Sequence, residues 1–174
     1  GKLMSDSSAK QTILIVDDNA ITCEVIQRNL KIACYHVFTA HSVDNAIKIL
    51  SRQKIDLLIT DYKMPKLTGL DLIKYVRDHL RDIGIIMLTG YGSINSAVLA
   101  MKEGADEYIT KPFTDKELLG AVKKIIQRQK EKKIDSGMLY NHAWTQFGIL
   151  GQSSNMCEMY SKIEKASKND AIVL

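Results

Sequence analysis

Short apolar runs recur along the first two thirds of the chain. They are Thr12-Ile13-Leu14-Ile15-Val16, Tyr35-His36-Val37-Phe38-Thr39-Ala40, Leu57-Leu58-Ile59-Thr60, Gly84-Ile85-Ile86-Met87-Leu88 and the more polar Asp106-Glu107-Tyr108-Ile109-Thr110. β-prone residues in unbroken runs, without in-out alternation, predict strands covered on both faces. Helical spacing fills the gaps. Asn19 can cap a helix carrying Ile21, Val25, Ile26, Leu30 and Ile32, and Ser42 one carrying Val43, Ala46, Ile47 and Leu50. Leu72, Ile73, Val76 and Leu80 mark a third helix. Ser93 or Asn95 opens a fourth through Ala97, Val98 and Met101 to Gly104, where a left-handed cap suits glycine. Thr114 with Glu117 forms a capping box for a fifth helix with Leu118, Leu119, Val122, Ile125 and Ile126 on one side.

Strand and helix in strict alternation predict an α/β domain, a doubly wound parallel sheet with helices on both faces, over residues 11–126. Residues 1–10 read as a disordered lead-in or cloning remnant. Residues 127–147 read as a linker helix and loop, an exposed extension in which Gln129 and Lys133 occupy positions a heptad would keep apolar, so no sustained coiled coil is expected. Asp135-Ser136-Gly137 is expected to end that helix. Residues 148–174 contain a Gly-x-Ser turn, an amphipathic stretch with Met156, Met159, Tyr160, Ile163 and Ala166, and the strand start Ala171-Ile172-Val173-Leu174. So short a segment cannot build its own core, and it reads as the truncated start of a larger α/β domain.

Composition narrows the class. With 45% hydrophobic and 25% charged residues the chain is of globular type, and no apolar run nears the roughly 20 residues of a membrane span. Cys23, Cys34 and Cys157 form neither a disulfide framework nor a zinc pattern, which favours a reducing, cytoplasmic setting. The net charge of +4 is local: Lys123, Lys124, Arg128, Lys130, Lys132 and Lys133 face the single acid Glu131, and the remainder is slightly acidic. Such a run is more often a solvated helix face, and a nucleic-acid footprint would have to be this segment.

Chemistry gathers at the strand ends. In a parallel sheet the carboxyl ends share one edge, which here collects Asp17 and Asp18, Asp61, Thr89 and Lys111. Taken singly these are a helix start, a turn, loop chemistry and a solvated lysine, and Tyr108 is a half-buried edge-strand aromatic. Together, three converging carboxylates call for a cation, and oxygen donors without His or Cys suit Mg²⁺. Carboxylate, hard cation, ammonium and hydroxyl are the parts phosphoryl transfer requires, with Asp61 the best nucleophile.

The acidic pair Asp17-Asp18, Asp61 followed by Lys63-Met64-Pro65 and Gly69, Thr89-Gly90, and Gly104-Ala105-x-x-Tyr108-Ile109-x-Lys111-Pro112-Phe113 resemble the receiver domain of two-component response regulators. The resemblance implies a flavodoxin-like five-stranded sheet of order 2-1-3-4-5. It also implies phosphorylation of Asp61 by a sensor histidine kinase and Mg²⁺ held by Asp18, Asp61 and the Lys63 backbone carbonyl, with Asp17 reaching it through water. Lys111 would contact the phosphoryl oxygens before a cis Pro112, and Thr89 and Tyr108 would form a switch pair. Such a chain is a self-catalysing phospho-acceptor rather than a turnover enzyme, and a homodimer is expected.

Residues 148–174 resemble the opening of the AAA+ ATPase domain of sigma-54-dependent transcriptional activators; no phosphate-binding loop follows, so ATP hydrolysis is not expected of this chain. The intact protein would bind DNA and sigma-54 RNA polymerase. The competing class is a Mg²⁺-dependent phosphatase on the same edge, but Lys63 stands where such enzymes carry a second aspartate. A flavodoxin-like cofactor binder is disfavoured because the acidic rim repels phosphate unless metal is present.

Overall fold

The computed structural model describes residues 10–90 and 94–147, the last ten of these as backbone only. The lead-in at 1–9, the Ser93 cap and the AAA+-like segment at 148–174 lie outside the described residues. The strands are β1 (Thr12–Val16), β2 (His36–Ala40), β3 (Leu57–Asp61), β4 (Gly84–Thr89) and β5 (Glu107–Thr110). The helices are α1 (Ala20–Ile32), α2 (Val43–Arg52), α3 (Gly69–His79), α4 (Ile94–Glu103) and α5 (Asp115–Phe147). All strand pairs are parallel and the sheet order is β2-β1-β3-β4-β5, as the resemblance implies.

Alternate strand residues feed two cores. Leu14, Val16, Leu58, Ile85 and Met87 pack with buried residues of α2, α3 and α4. Ile13, Ile15, Leu57, Ile59, Ile86 and Leu88 pack with those of α1 and α5. Because β1, β3 and β4 are covered on both sides, their residues are apolar without alternation. The caps behave as the sequence requires. Asn19 Oδ1 accepts from the Ile21 and Thr22 amides, Ser42 Oγ from Asn45, and Thr114 and Glu117 bond reciprocally.

Two helices depart in part from the expected phase. In α1 Ile26 and Leu30 are buried as expected, now with Cys23, whereas Ile21, Val25 and Ile32 are exposed at 73, 47 and 75%. α1 carries two apolar stripes, and the smaller side chain of Cys23 sits against the sheet. In α4 the buried residues are Ser96, Ala97 and Ala100, while Val98 and Met101 face outward. Small residues there let α4 lie close to the sheet.

The expected helix stop at Asp135-Ser136-Gly137 does not occur: α5 continues to Phe147. A glycine inside a helix costs only about 1 kcal/mol. The Ser136 hydroxyl donates to the Lys132 carbonyl one turn back, which keeps it within the helical hydrogen-bond pattern. The chain divides into two units at Gln127/Arg128.

At the amino edge of the sheet one arginine joins four segments. Arg77 on α3 donates through Nε to the Gly104 carbonyl (2.8 Å) and through Nη1 to the carbonyls of Arg81 and Ile83 (3.2 and 2.6 Å). Its Nη2 pairs with Asp106 Oδ2 at 3.0 Å, and that oxygen also accepts from the Ile85 amide. Gly104 closes α4 at φ +116°, and a Cβ there would strike the Arg77 side chain.

Candidate functional site

The opposite, carboxyl edge is assembled strand by strand. Beyond β1 the Asp17 amide donates to the Ala40 carbonyl, extending the pairing with β2 by one rung. Asp17 Oδ1 then accepts from the Asn19 amide at 2.9 Å, turning the chain into α1. This turn leaves Asp17 only 1% exposed and sets Asp18 at the exposed rim.

Asp61 ends β3 and is also buried. The Tyr62 amide donates to the Leu88 carbonyl and the Gly69 amide to the Tyr62 carbonyl, so the loop carrying Lys63 folds back over the strand end. Gly69 is required by this return. A Cβ at that position would stand inside contact distance of the Asp61 carbonyl oxygen, which is backbone and cannot yield.

From β5 the Lys111 amide donates to the Thr89 carbonyl at 2.7 Å, and the Lys111–Pro112 bond is cis, as the resemblance implies. Lys111 Nζ lies 3.1 Å from Asp17 Oδ2 and 3.3 Å from Asp61 Oδ1. The Thr89 hydroxyl is buried with no hydrogen-bond partner among the described residues. Tyr108 is turned outward, 42% exposed, and lines a groove of about 380 Å³ with Ile94, Ala97, Val98, Met101 and Lys102.

Asp17, Asp18 and Asp61 each offer a carboxylate oxygen within 4.8 Å of the others. Burial, reinforced by the charge of Asp17, raises the pKa of Asp61 above the ordinary carboxylate value. Burial pulls Lys111 down, but its bond to Asp17 and the charges of Asp61 and Asp17 outweigh that and leave it above the usual lysine value. Lys111 is therefore a firm ammonium, a single positive charge among three acids. The remaining negative charge and the all-oxygen donor set fit a hard divalent cation. The nearby thiol of Cys23 does not compete. Burial, then the charge of Asp17, pushes it up to about 11, so it stays protonated at neutral pH.

The structure thus brings together Asp17, Asp18, Asp61 and Lys111, with Thr89 on the adjacent strand end. The residues expected from sequence come from four strand ends and leave out the fifth. β2 ends at Ala40, and the next residue, His41, places Nδ1 3.0 Å from the Asp17 carbonyl oxygen. Weighing the residue after every strand, whatever its type, is the signal that finds it.

A 2-1-3-4-5 parallel sheet with its polar cluster at the carboxyl edge defines the flavodoxin-like doubly wound class. Residues 13–123 match the response regulator receiver domain, and the chain belongs to that family.

Its relatives include the phosphate regulon transcriptional regulatory protein PhoB of Pseudomonas aeruginosa, 38% identical over 120 residues, covering 68% of this chain and 52% of that protein. The probable transcriptional regulator ycf27 of Porphyridium aerugineum is 31% identical over 156 residues, 90% of this chain and 64% of that protein. The chain therefore spans less than two thirds of these relatives. A response regulator receiver domain structure from Clostridium thermocellum superposes with a TM-score of 0.66 at 38% identity, covering 69% of this chain and 97% of that one. Among the described residues no helix is long and apolar enough to cross a membrane.

Proposed function

We propose that this chain is the phosphorylated switch of a cytoplasmic two-component relay, with Asp61 as the acceptor. The observation that carries this is Lys111 Nζ between Asp17 and Asp61, at 3.1 and 3.3 Å, with the Thr89 hydroxyl, which has no partner among the described residues, on the neighbouring strand end. Asp17, Asp18, Asp61 and the Lys63 carbonyl would hold Mg²⁺, Asp17 through water. Bound there, the ion offsets charge on the phosphoryl oxygens.

An Asp61 carboxylate oxygen attacks the phosphorus of a kinase phosphohistidine. The O–P bond forms as the P–N bond breaks, and the imidazole nitrogen leaves with the electron pair and takes a proton. Lys111 donates to a phosphoryl oxygen and gives up part of its hold on the carboxylates. Thr89 finds in another phosphoryl oxygen the partner its hydroxyl lacks among the described residues, and its movement opens space for Tyr108 to turn inward. The surface formed by α4 and β5 changes, and with it the association of two copies of the chain. The relatives are named as transcriptional regulators, which makes transcription the natural output. The resemblance of residues 148–174 to the start of an AAA+ domain is what supports reading that output as control of a sigma-54-dependent ATPase.

Acetyl phosphate with Mg²⁺, followed by intact mass, tests the acceptor. Wild type should gain one phosphoryl group and Asp61→Asn none; undiminished labelling of the variant would falsify the assignment.

A further inference from the structure

The Asp17 carbonyl is one residue past the end of β1, in a residue that is 1% exposed, so its oxygen needs donors from outside the ladder. Two converge on it: the His41 ring at 3.0 Å and the Cys23 thiol at 3.4 Å. A carbonyl oxygen only accepts, so Nδ1 of His41 carries the hydrogen. The thiol is a weak donor, which makes the imidazole the principal hold. One residue earlier, the Ala40 carbonyl receives the Asp17 amide. Both sides of Asp17 are therefore gripped by consecutive residues, Ala40 and His41. From this fixed backbone the side chain reaches the Asn19 amide with one oxygen and Lys111 with the other.

We infer that His41 is a positioning residue for the acidic cluster. By holding the Asp17 carbonyl it fixes where the Asp17 carboxylate stands relative to Asp18, Asp61 and Lys111, and so sets the affinity of the cluster for a divalent cation. The inference rests on the proposed Mg²⁺ site but concerns a different residue and a different readout. His41 is itself exposed, so its ring contributes little burial, and substitution should leave the fold intact. Partners that orient ligands are typically worth ten- to a hundredfold in metal affinity.

The test compares wild type, His41→Ala and His41→Asn by calorimetric titration with Mg²⁺, with thermal melting in chelator alongside. The amide nitrogen of asparagine lies near the place of Nδ1 and can donate to the same carbonyl. His41→Ala should bind Mg²⁺ about tenfold more weakly with a nearly unchanged melting midpoint, and His41→Asn should recover most of the loss. Phosphorylation by acetyl phosphate should be slowed in His41→Ala at low Mg²⁺ and restored at saturation. Equal Mg²⁺ affinity in wild type and His41→Ala overturns the inference while leaving the proposed function standing, as does a loss that His41→Asn fails to recover. A wild-type chain that takes neither Mg²⁺ nor a phosphoryl group overturns both.

Discussion

Asp61 is placed where its charge is least welcome. Burial and the neighbouring Asp17 make the folded chain hold the Asp61 proton to higher pH than the unfolded chain does. Between the ordinary carboxylate value and this raised one the folded state binds more protons, so stability falls as pH rises through that window and the loss is complete above it. Asp61→Asn should therefore melt above wild type at pH 7 in chelator. A chain of this length moves by about 2–4 °C per kcal/mol. The gap should close as pH drops below the ordinary carboxylate range, where wild type also carries a neutral side chain. A variant that melts at or below wild type at pH 7 would count against the electrostatic picture. The acids, the lysine and the threonine are legible in the sequence because each stands at or just beyond the end of a β-prone run. His41 stands just beyond such a run too, after Ala40, but an imidazole is not one of the groups phosphoryl transfer at a hard-cation site requires, and its contribution is one hydrogen bond to a backbone oxygen, so only its position marks it.

At the scale of elements, the strands are legible and the phases of two helices only in part. An unbroken run such as Leu57-Leu58-Ile59-Thr60 has one reading, whereas α1 offers two apolar stripes and only the sheet chooses between them. The end of α5 falls later than expected because serine and glycine are weak stops when a helix already has length behind it. The return from β3 to α3 is the least forgiving connection. Gly69→Ala puts a methyl group against the Asp61 backbone, and either the loop or the strand end must shift. Urea denaturation should show a loss of about 1–3 kcal/mol, the usual range for overpacking, and the rate of labelling by acetyl phosphate should fall with it. Labelling at the wild-type rate would show that the loop moves without disturbing the acceptor.

For the whole molecule, strand order is the part that periodicity cannot supply. Alternation predicts a parallel sheet but not which strand lies centrally; the order comes with the resemblance, carried by motifs far apart in sequence. Polarity also marks an exposed apolar face. Ile94, Val98 and Met101 are exposed at 80, 46 and 44% along one side of α4, next to Tyr108. If this face joins two copies, beryllofluoride with Mg²⁺ should change the mass of wild type in light scattering. An Ile94→Asp, Val98→Asp double variant should show the same mass with and without the analogue, yet still accept a phosphoryl group on Asp61. A wild-type mass that ignores the analogue would remove the dimer from the proposal.

The Arg77 knot, at the edge away from the chemistry, has a mechanical side. It ties the last carbonyl of the α4 turn at Gly104 to α3 and, through Asp106, to the start of β5. A rod pinned at one end answers a push near the other by swinging rather than sliding. A displacement of Thr89 would thus reach α4 as a torque about Gly104, with Ile94 travelling farther than Met101. In the proposed switch Arg77 would then be the fulcrum, and the leverage would depend on how firmly that distant knot holds.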